Sequence, residues 1–105
     1  MRGGDLDADI IRADAQRMHS VYGIYGISVF APRGLTLDEL AQQPPLVRFS
    51  GLTILTVADI RAAGLRLEAT GRNPRHFTII LADLDGAGAL SACPRRRWPN
   101  PYHDP

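Results

Sequence analysis

Hydrophobic and polar positions along the first thirty residues predict a helix followed by a strand. Residues 5–20, DLDADIIRADAQRMHS, begin with acidic side chains, which the helix dipole favours at that end, and space their apolar residues at helical intervals. Residues 21–30, VYGIYGISVF, are apolar on both faces of an extended chain and rich in β-branched and aromatic residues. This second stretch is typical of a central, buried strand.

Two threonines mark the starts of two further helices. Thr36 and Thr56 each precede a carboxylate by three residues, the spacing at which a hydroxyl and a carboxylate satisfy unpaired backbone donors. Pro44-Pro45 ends the first of these helices, because proline has no N–H to donate. Gly64 ends the second, because glycine adopts the left-handed conformation at low cost.

The clearest pattern lies in the second half of the chain. Residues 65–70, LRLEAT, alternate between apolar and polar, residues 71–75 have turn composition, and residues 76–82, HFTIILA, resume an extended run. This pattern predicts a β-hairpin. Residues 46–55 predict one or two short strands, and residues 83–93 a last short helix weakened by two glycines.

These elements predict one α+β (or small α/β) domain over residues 1–93. We expect a mixed sheet of about four strands, ending in the C-terminal hairpin and covered by three to four helices. A chain of 105 residues with 45% hydrophobic content suits a single domain. The four prolines of residues 94–105 predict an extended tail without regular structure, which docks on the domain or stays mobile.

Composition restricts the partners and the cellular location that we expect for the protein. The net charge of +1 gives no global field for nucleic acid, so any charge-dependent recognition has to be local. Cys93 is the single cysteine, which makes a reducing cytoplasm the simplest location. The chain has no apolar run near the roughly 20 residues that a spanning helix needs, so we expect a soluble protein without a membrane partner.

The sequence predicts no metal site and no cofactor. Asp5, Asp7 and Asp9 resemble the opening of a calcium loop but lack the following glycine and the bidentate glutamate, so they are interpreted as a helix start. The histidines are far apart and stand in different local contexts, unlike metal-binding spacings.

Candidate chemistry lies in the hairpin loop. Arg72 and Arg75 supply planar forks suited to phosphate, and the His76 imidazole suits proton transfer near neutral pH. Cleavage of a phosphodiester without a metal needs an acid, a base and cations for the developing charge. These three residues are therefore predicted as catalytic. The competing interpretation is structural, with solvated arginines and a histidine bonded to its neighbours.

Further site residues are predicted around the first strand. His19, at the end of the first helix, is a candidate second proton carrier. Tyr22 and Tyr25 are candidates for orienting the substrate or stacking a base. Gly23 and Gly26 flank Tyr25 and indicate close approach, either of a helix or of a ligand in a groove.

The tail combines cations with aromatic rings. Arg95, Arg96 and Trp98 suit a nucleic-acid backbone with stacked bases, and they equally suit an arm that grips a protein partner. A third interpretation folds Trp98 back over the core. The three interpretations are favoured in the order body docking, protein partner and nucleic acid.

The functional prediction is a small metal-independent ribonuclease-like toxin of a bacterial toxin–antitoxin pair, acting on RNA by acid–base catalysis. Its predicted partners are RNA and a cognate antitoxin or another protein. The alternative is a non-enzymatic interaction module, an antitoxin or immunity-type protein, that binds a partner through its Arg/Trp tail. A third alternative is a regulatory domain that binds a small molecule over the Tyr-Gly strand.

Overall fold

A computed structural model describes residues 1–104 of the chain. Within that range lie four α-helices: α1 (Ala8–Tyr22), α2 (Leu37–Ala41), α3 (Val57–Ala62) and α4 (Gly86–Ser91). The same range holds six strands: β1 (Arg2–Gly3), β2 (Tyr25–Phe30), β3 (Gly51–Ile54), β4 (Arg66–Ala69), β5 (His76–Leu81) and β6 (Arg96–Pro99). A 3-10 turn spans Leu46–Arg48. The predicted α+β class is confirmed, and no helix among these residues is long and apolar enough to cross a membrane.

The six strands of residues 1–104 form two antiparallel sheets, ordered β1-β3-β6 and β2-β5-β4. The sheet arrangement therefore differs from the predicted mixed sheet of about four strands. The difference arises because β1 and β6, which carry no alternating apolar pattern, both pair with β3. The predicted hairpin is confirmed, since β4 and β5 pair with Leu67 opposite Ile79.

Each sheet of the described chain carries its own core. One cluster packs α1, α3 and α4 against the β2-β5-β4 sheet; its fully buried members include Leu6, Ile11, Ile27, Ile79 and Leu90. The other cluster lies against the β1-β3-β6 sheet; its members are Met1, Leu40, Ala41, Leu46 and Leu52. Each buried leucine or isoleucine contributes about 1.5–3 kcal/mol, so these side chains hold the helices on the sheets.

The predicted helix starts are confirmed at the level of single hydrogen bonds. The Thr36 hydroxyl accepts from the Glu39 amide at 3.1 Å, and the Glu39 carboxylate accepts from the Thr36 amide at 3.0 Å. The Thr56 hydroxyl caps α3 by accepting from the Asp59 amide at 3.1 Å. Asp7 caps α1, as expected of a helix start rather than a calcium loop.

Helix α1 extends further than predicted. The stretch assigned to a strand, residues 21–30, begins with two helical residues, and Gly23 then ends α1 with a φ of 77° and a bond from its N–H to the His19 carbonyl. The strand starts only at Tyr25. A glycine after an apolar run fits both a strand and a left-handed helix end, and here the helix end prevails.

The tail contains regular structure, so the prediction that its prolines exclude it is wrong for Arg96–Pro99. These residues form β6 and pair with β3, with Trp98 opposite Leu52. Pro99 is tolerated because it ends a strand at the edge of its sheet. The docking on the body that the sequence favoured is confirmed for this segment, and Pro105 lies outside the described residues.

Candidate functional site

One face of the β2-β5-β4 sheet is turned away from the core cluster of that sheet. Because side chains alternate along a strand, the register separates a core-facing set from an opposite set. The opposite set, which we call the outer face, consists of Gly26, Ser28, Phe30, His76, Thr78, Ile80, Arg66 and Glu68. It combines an imidazole, a carboxylate, a guanidinium group and two hydroxyls.

Two adjoining hollows open on the outer face. The His76 hollow, about 310 Å³, is lined by residues that include Tyr22, Ser28, Thr70, His76 and Thr78. The Arg17 hollow, about 320 Å³, is lined by residues that include Arg2, Asp14, Arg17 and Gly26. Three residues, Met18, Tyr22 and Ser28, line both hollows. The C-terminal turns of α1 thus form a wall common to the two hollows.

The His76 imidazole is held in one orientation. Its Nδ1 lies 3.0 Å from the Thr70 carbonyl oxygen and 2.9 Å from the Thr70 hydroxyl, which in turn lies 2.7 Å from the Thr78 hydroxyl. A carbonyl only accepts, so Nδ1 carries the proton in this arrangement. The Phe30 ring packs edge-on against the imidazole at 5.2 Å. The Nε2 atom can therefore accept a proton from a ligand or donate one to it.

The register brings Glu68 next to His76. Glu68 lies directly opposite Thr78 on the neighbouring strand, which makes it the diagonal neighbour of His76, and such neighbours are about 7–8 Å apart. Arg66 Nη2 lies 3.3 Å from Glu68 Oε1, and both side chains are largely exposed. The predicted hairpin paired this strand with residues 76–82 but did not specify which residues lie opposite each other, and neither Arg66 nor Glu68 was predicted as a site residue.

Arg72 and Arg75 do not line the His76 hollow. Arg72 is exposed in the turn, and the Arg75 Nε donates to the Pro32 carbonyl at 3.1 Å. Arg75 is thereby tied to the loop after β2. Of the three loop residues predicted as catalytic, the structure brings only His76 to a hollow.

His19 and Tyr25 lie apart from His76. Their rings stack with centroids 4.1 Å apart and planes inclined by 10°. Tyr25 belongs to the core-facing set of β2, and it packs against the core cluster of that sheet. Tyr22, by contrast, is 74% exposed and lines both hollows. Of the two predicted tyrosines, Tyr22 is therefore the one that belongs to the site.

Of the three site residues predicted in the tail, Arg95 and Trp98 form contacts that stabilise the fold. The Arg95 guanidinium donates hydrogen bonds to four backbone carbonyl groups, those of Leu6, Leu90, Ser91 and Cys93. Trp98 packs against the core cluster of the β1-β3-β6 sheet. Arg96 is exposed on β6, and it lines a separate surface depression with Asp59. These three side chains lie outside both hollows.

Of the two glycines that flank Tyr25, Gly26 lies in β2, whereas Gly23 ends α1 and a β-carbon there would meet no atom within 4 Å. A β-carbon on Gly26 would lie 2.8 Å from Met18 Sδ and closer still to the Thr78 methyl group. The predicted close approach of a helix is confirmed for Gly26 and not for Gly23. Gly26 also lines the Arg17 hollow, so helix packing and the site share one residue.

Among residues 1–104, no three His, Cys, Asp or Glu side chains converge on a common point. Comparisons of the chain with protein-family models, with curated proteins and with solved structures found no match. The outer face and its two hollows are therefore the basis of the functional argument.

Proposed function

We propose that the protein is a small metal-independent ribonuclease-like toxin of a bacterial toxin–antitoxin pair, and that it cleaves RNA on the outer face. The observation that carries the proposal is the setting of His76, whose imidazole is oriented by the Thr70 carbonyl and has Glu68, the ion-pair partner of Arg66, as its diagonal neighbour. An acid, a base and a cation on one surface are the groups that cleavage of a phosphodiester without a metal requires.

In the proposed reaction, the Glu68 carboxylate takes the proton of a ribose 2′-hydroxyl. The 2′-oxygen forms a bond to phosphorus while the bond from phosphorus to the 5′-oxygen breaks. The cationic His76 donates its Nε2 proton to that leaving oxygen, which yields a 2′,3′-cyclic phosphate and a 5′-hydroxyl. The Thr70 carbonyl accepts from Nδ1–H and so leaves Nε2 as the atom that faces the leaving oxygen. Arg66 stabilises the charge on the phosphoryl oxygens.

RNA and a cognate antitoxin are the partners that this function implies, and the cytoplasm is its location. The location is supported by Cys93, whose thiol is buried in the core and bonded to backbone carbonyls rather than to a second sulfur. Burial raises the pKa of the Cys93 thiol, which keeps it protonated and unreactive.

The first prediction concerns the two proton carriers. We expect His76→Ala and Glu68→Gln each to lower the cleavage rate of a labelled single-stranded RNA by about a hundredfold or more, the usual contribution of a positioned acid or base. Both should also relieve growth arrest on induced expression, with melting temperatures close to that of the parent protein. Arg72→Ala is the control, since it removes a guanidinium from the exposed turn outside the His76 hollow.

Three outcomes would contradict this mechanism. Cleavage that persists in both variants excludes these proton carriers. Cleavage that stops on addition of EDTA excludes metal independence. Products that end in a 3′-hydroxyl exclude attack by the 2′-oxygen.

A second candidate function is the non-enzymatic interaction module. It is favoured by three apolar side chains exposed where α1 joins β2, namely Val21 at 66%, Tyr22 at 74% and Ile24 at 39%. Exposed apolar surface of this kind is typical of a protein interface. The partner would then bind this surface rather than the Arg/Trp tail, whose Trp98 is packed on the core. Absence of growth arrest on expression of the parent protein, together with no cleavage of the labelled RNA, would favour this alternative.

A further inference from the structure

The Arg17 hollow carries a charge pattern that the proposed reaction does not use. Asp14 bridges two guanidinium groups, with Arg17 Nη1 at 3.1 Å from Oδ1 and Arg2 Nη2 on Oδ2. Two cations around one carboxylate leave one positive charge in excess. This excess lies at the side of the outer face that α1 overhangs, in the hollow that adjoins the His76 hollow.

The side chains of Arg2 and Arg17 differ in how tightly the surrounding residues hold them. The Arg2 side chain is only 14% exposed, and it also donates to the Ser28 carbonyl at 3.4 Å, so it is part of the wall. Its Nε is buried without a hydrogen-bond partner among the described residues. The Arg17 side chain is 74% exposed and bonded only at its tip to Asp14. Arg17 is therefore the cation that can turn toward a ligand while Asp14 continues to hold Arg2.

Tyr22 lies between this charge and the imidazole. Its ring is 74% exposed, and it lines both hollows. An exposed aromatic ring beside a cation is the arrangement on which a base stacks while its phosphate is bound. From α1 to the outer face, Arg17, Tyr22 and His76 thus present a cation, an aromatic ring and an imidazole, which matches the order phosphate, base and phosphate in a single-stranded nucleic acid.

We infer that the Arg17 hollow is a subsite for single-stranded RNA, in which Arg17 binds a backbone phosphate and Tyr22 stacks the adjoining base. The inference rests on the proposed function, because it assigns the neighbouring phosphate to His76 and Glu68. A duplex does not fit this subsite, since its bases are paired and stacked on one another and leave no free face for Tyr22. An acidic peptide would bind the Arg17 guanidinium group but would not stack on the Tyr22 ring.

The test measures binding without cleavage. A short fluorescein-labelled single-stranded RNA with 2′-O-methyl groups, which lack the attacking hydroxyl, is titrated with the protein and followed by fluorescence anisotropy over a range of salt concentrations. We expect Arg17→Gln to lower the slope of log Kd against log salt by about 0.7, the value for one phosphate contact with a single strand. Arg17→Lys should retain that slope because it keeps the charge.

The matched control is Arg12→Gln, which removes the same charge from the same helix. Arg12 is paired with Asp9 and is not part of either hollow. Tyr22→Leu should weaken binding by about fivefold or more, since stacking on an aromatic ring is lost while an apolar helical residue is kept. Tyr102→Leu, on the tail, should leave the affinity unchanged.

The results separate this inference from the proposed function. Equal effects of Arg17→Gln and Arg12→Gln, equal binding of an RNA duplex, or displacement of the RNA by an acidic peptide would each overturn the subsite. If the subsite variants act as expected while His76→Ala still cleaves RNA, the subsite stands and the catalytic proposal fails. If cleavage needs His76 and Glu68 while Arg17→Gln matches Arg12→Gln, the catalytic proposal stands and the subsite fails.

Discussion

Gly26 couples the packing of α1 to the candidate site. Met18 and the Thr78 methyl group occupy the space that a β-carbon at this position would need. The Thr78 hydroxyl bonds to Thr70, and Thr70 holds the His76 imidazole. Any outward shift of Thr78 would therefore be passed to the imidazole through two hydrogen bonds.

The prediction at this scale is that Gly26→Ala destabilises the protein by about 1–3 kcal/mol, because the added methyl group would overlap the methyl group of Thr78, which is buried, and lie 3.3 Å from the Ile79 carbonyl oxygen. The measurement is urea unfolding followed by circular dichroism. Gly88→Ala is the matched control, since a β-carbon there meets no atom within 4 Å and alanine favours the α4 helix by up to about 1 kcal/mol. Equal midpoints for the two variants would show that the Gly26 site is not crowded.

Strand β6 is fixed at its end by one buried side chain. Asn100 is 7% exposed, and its amide nitrogen donates to the carbonyls of Ala41 and Leu46 at 3.3 and 3.2 Å. Its amide oxygen accepts from the Tyr102 backbone at 3.0 Å. The tail is thereby joined to the end of α2 and to the 3-10 turn. Removal of residues 94–105 would take away a strand of the sheet, so it is not a neutral truncation.

At the scale of this element, we expect Asn100→Ala to lower the free energy of unfolding by about 1–3 kcal/mol, because the Ala41 and Leu46 carbonyls lose the Asn100 donor and Leu46 keeps the Phe49 amide. Gln43→Ala, an amide removed from an exposed position nearby, should change stability little. Chemical denaturation of both variants tests the contrast. Equal stability of Asn100→Ala and the parent protein would mean that β6 does not depend on this anchor.

At the scale of the whole molecule, Met1 joins the two sheets. Its amino group donates to the Phe30 carbonyl at 2.8 Å, and its carbonyl accepts from the Phe30 amide at 2.8 Å. Phe30 ends β2 of one sheet, whereas Met1 precedes β1 of the other and is buried in the second core cluster. Burial lowers the pKa of the Met1 amino group from 8.0 to about 6.

This shift predicts a pH dependence for protein prepared with a free Met1 amino group. Between pH 6 and 8 the unfolded chain binds a proton that the folded chain has released, so the free energy of unfolding should rise with pH across that window. The contribution is at most about 2–3 kcal/mol for a shift of this size. Protein acetylated at Met1 lacks the titrating amine and should show a smaller rise over the same range. Identical pH profiles for the two forms would remove Met1 as the cause.

The parts of the fold that the sequence predicted are stabilised by hydrogen bonds between residues close together in the chain. The Thr36 and Thr56 caps bond to amides three residues away, and the β4–β5 hairpin is closed by its own turn. His76 and Tyr22 were recognised as candidates from their chemistry alone. Their shared hollow was not, because Tyr22 was assigned to a strand and lies instead in the last turn of α1.

The sequence by itself determined the helix starts, the hairpin and the α+β class, because each depends on local hydrogen bonds and on the spacing of apolar residues. Tertiary structure alone decided that the strands divide into two sheets and that Arg75 and Arg95 are bound to backbone carbonyls. It also decided that Glu68 is the neighbour of His76. The physical reason is that the order of strands in a sheet is set by contacts between residues distant in the chain, which no local pattern encodes, and that the register within the hairpin is set by the geometry of its turn.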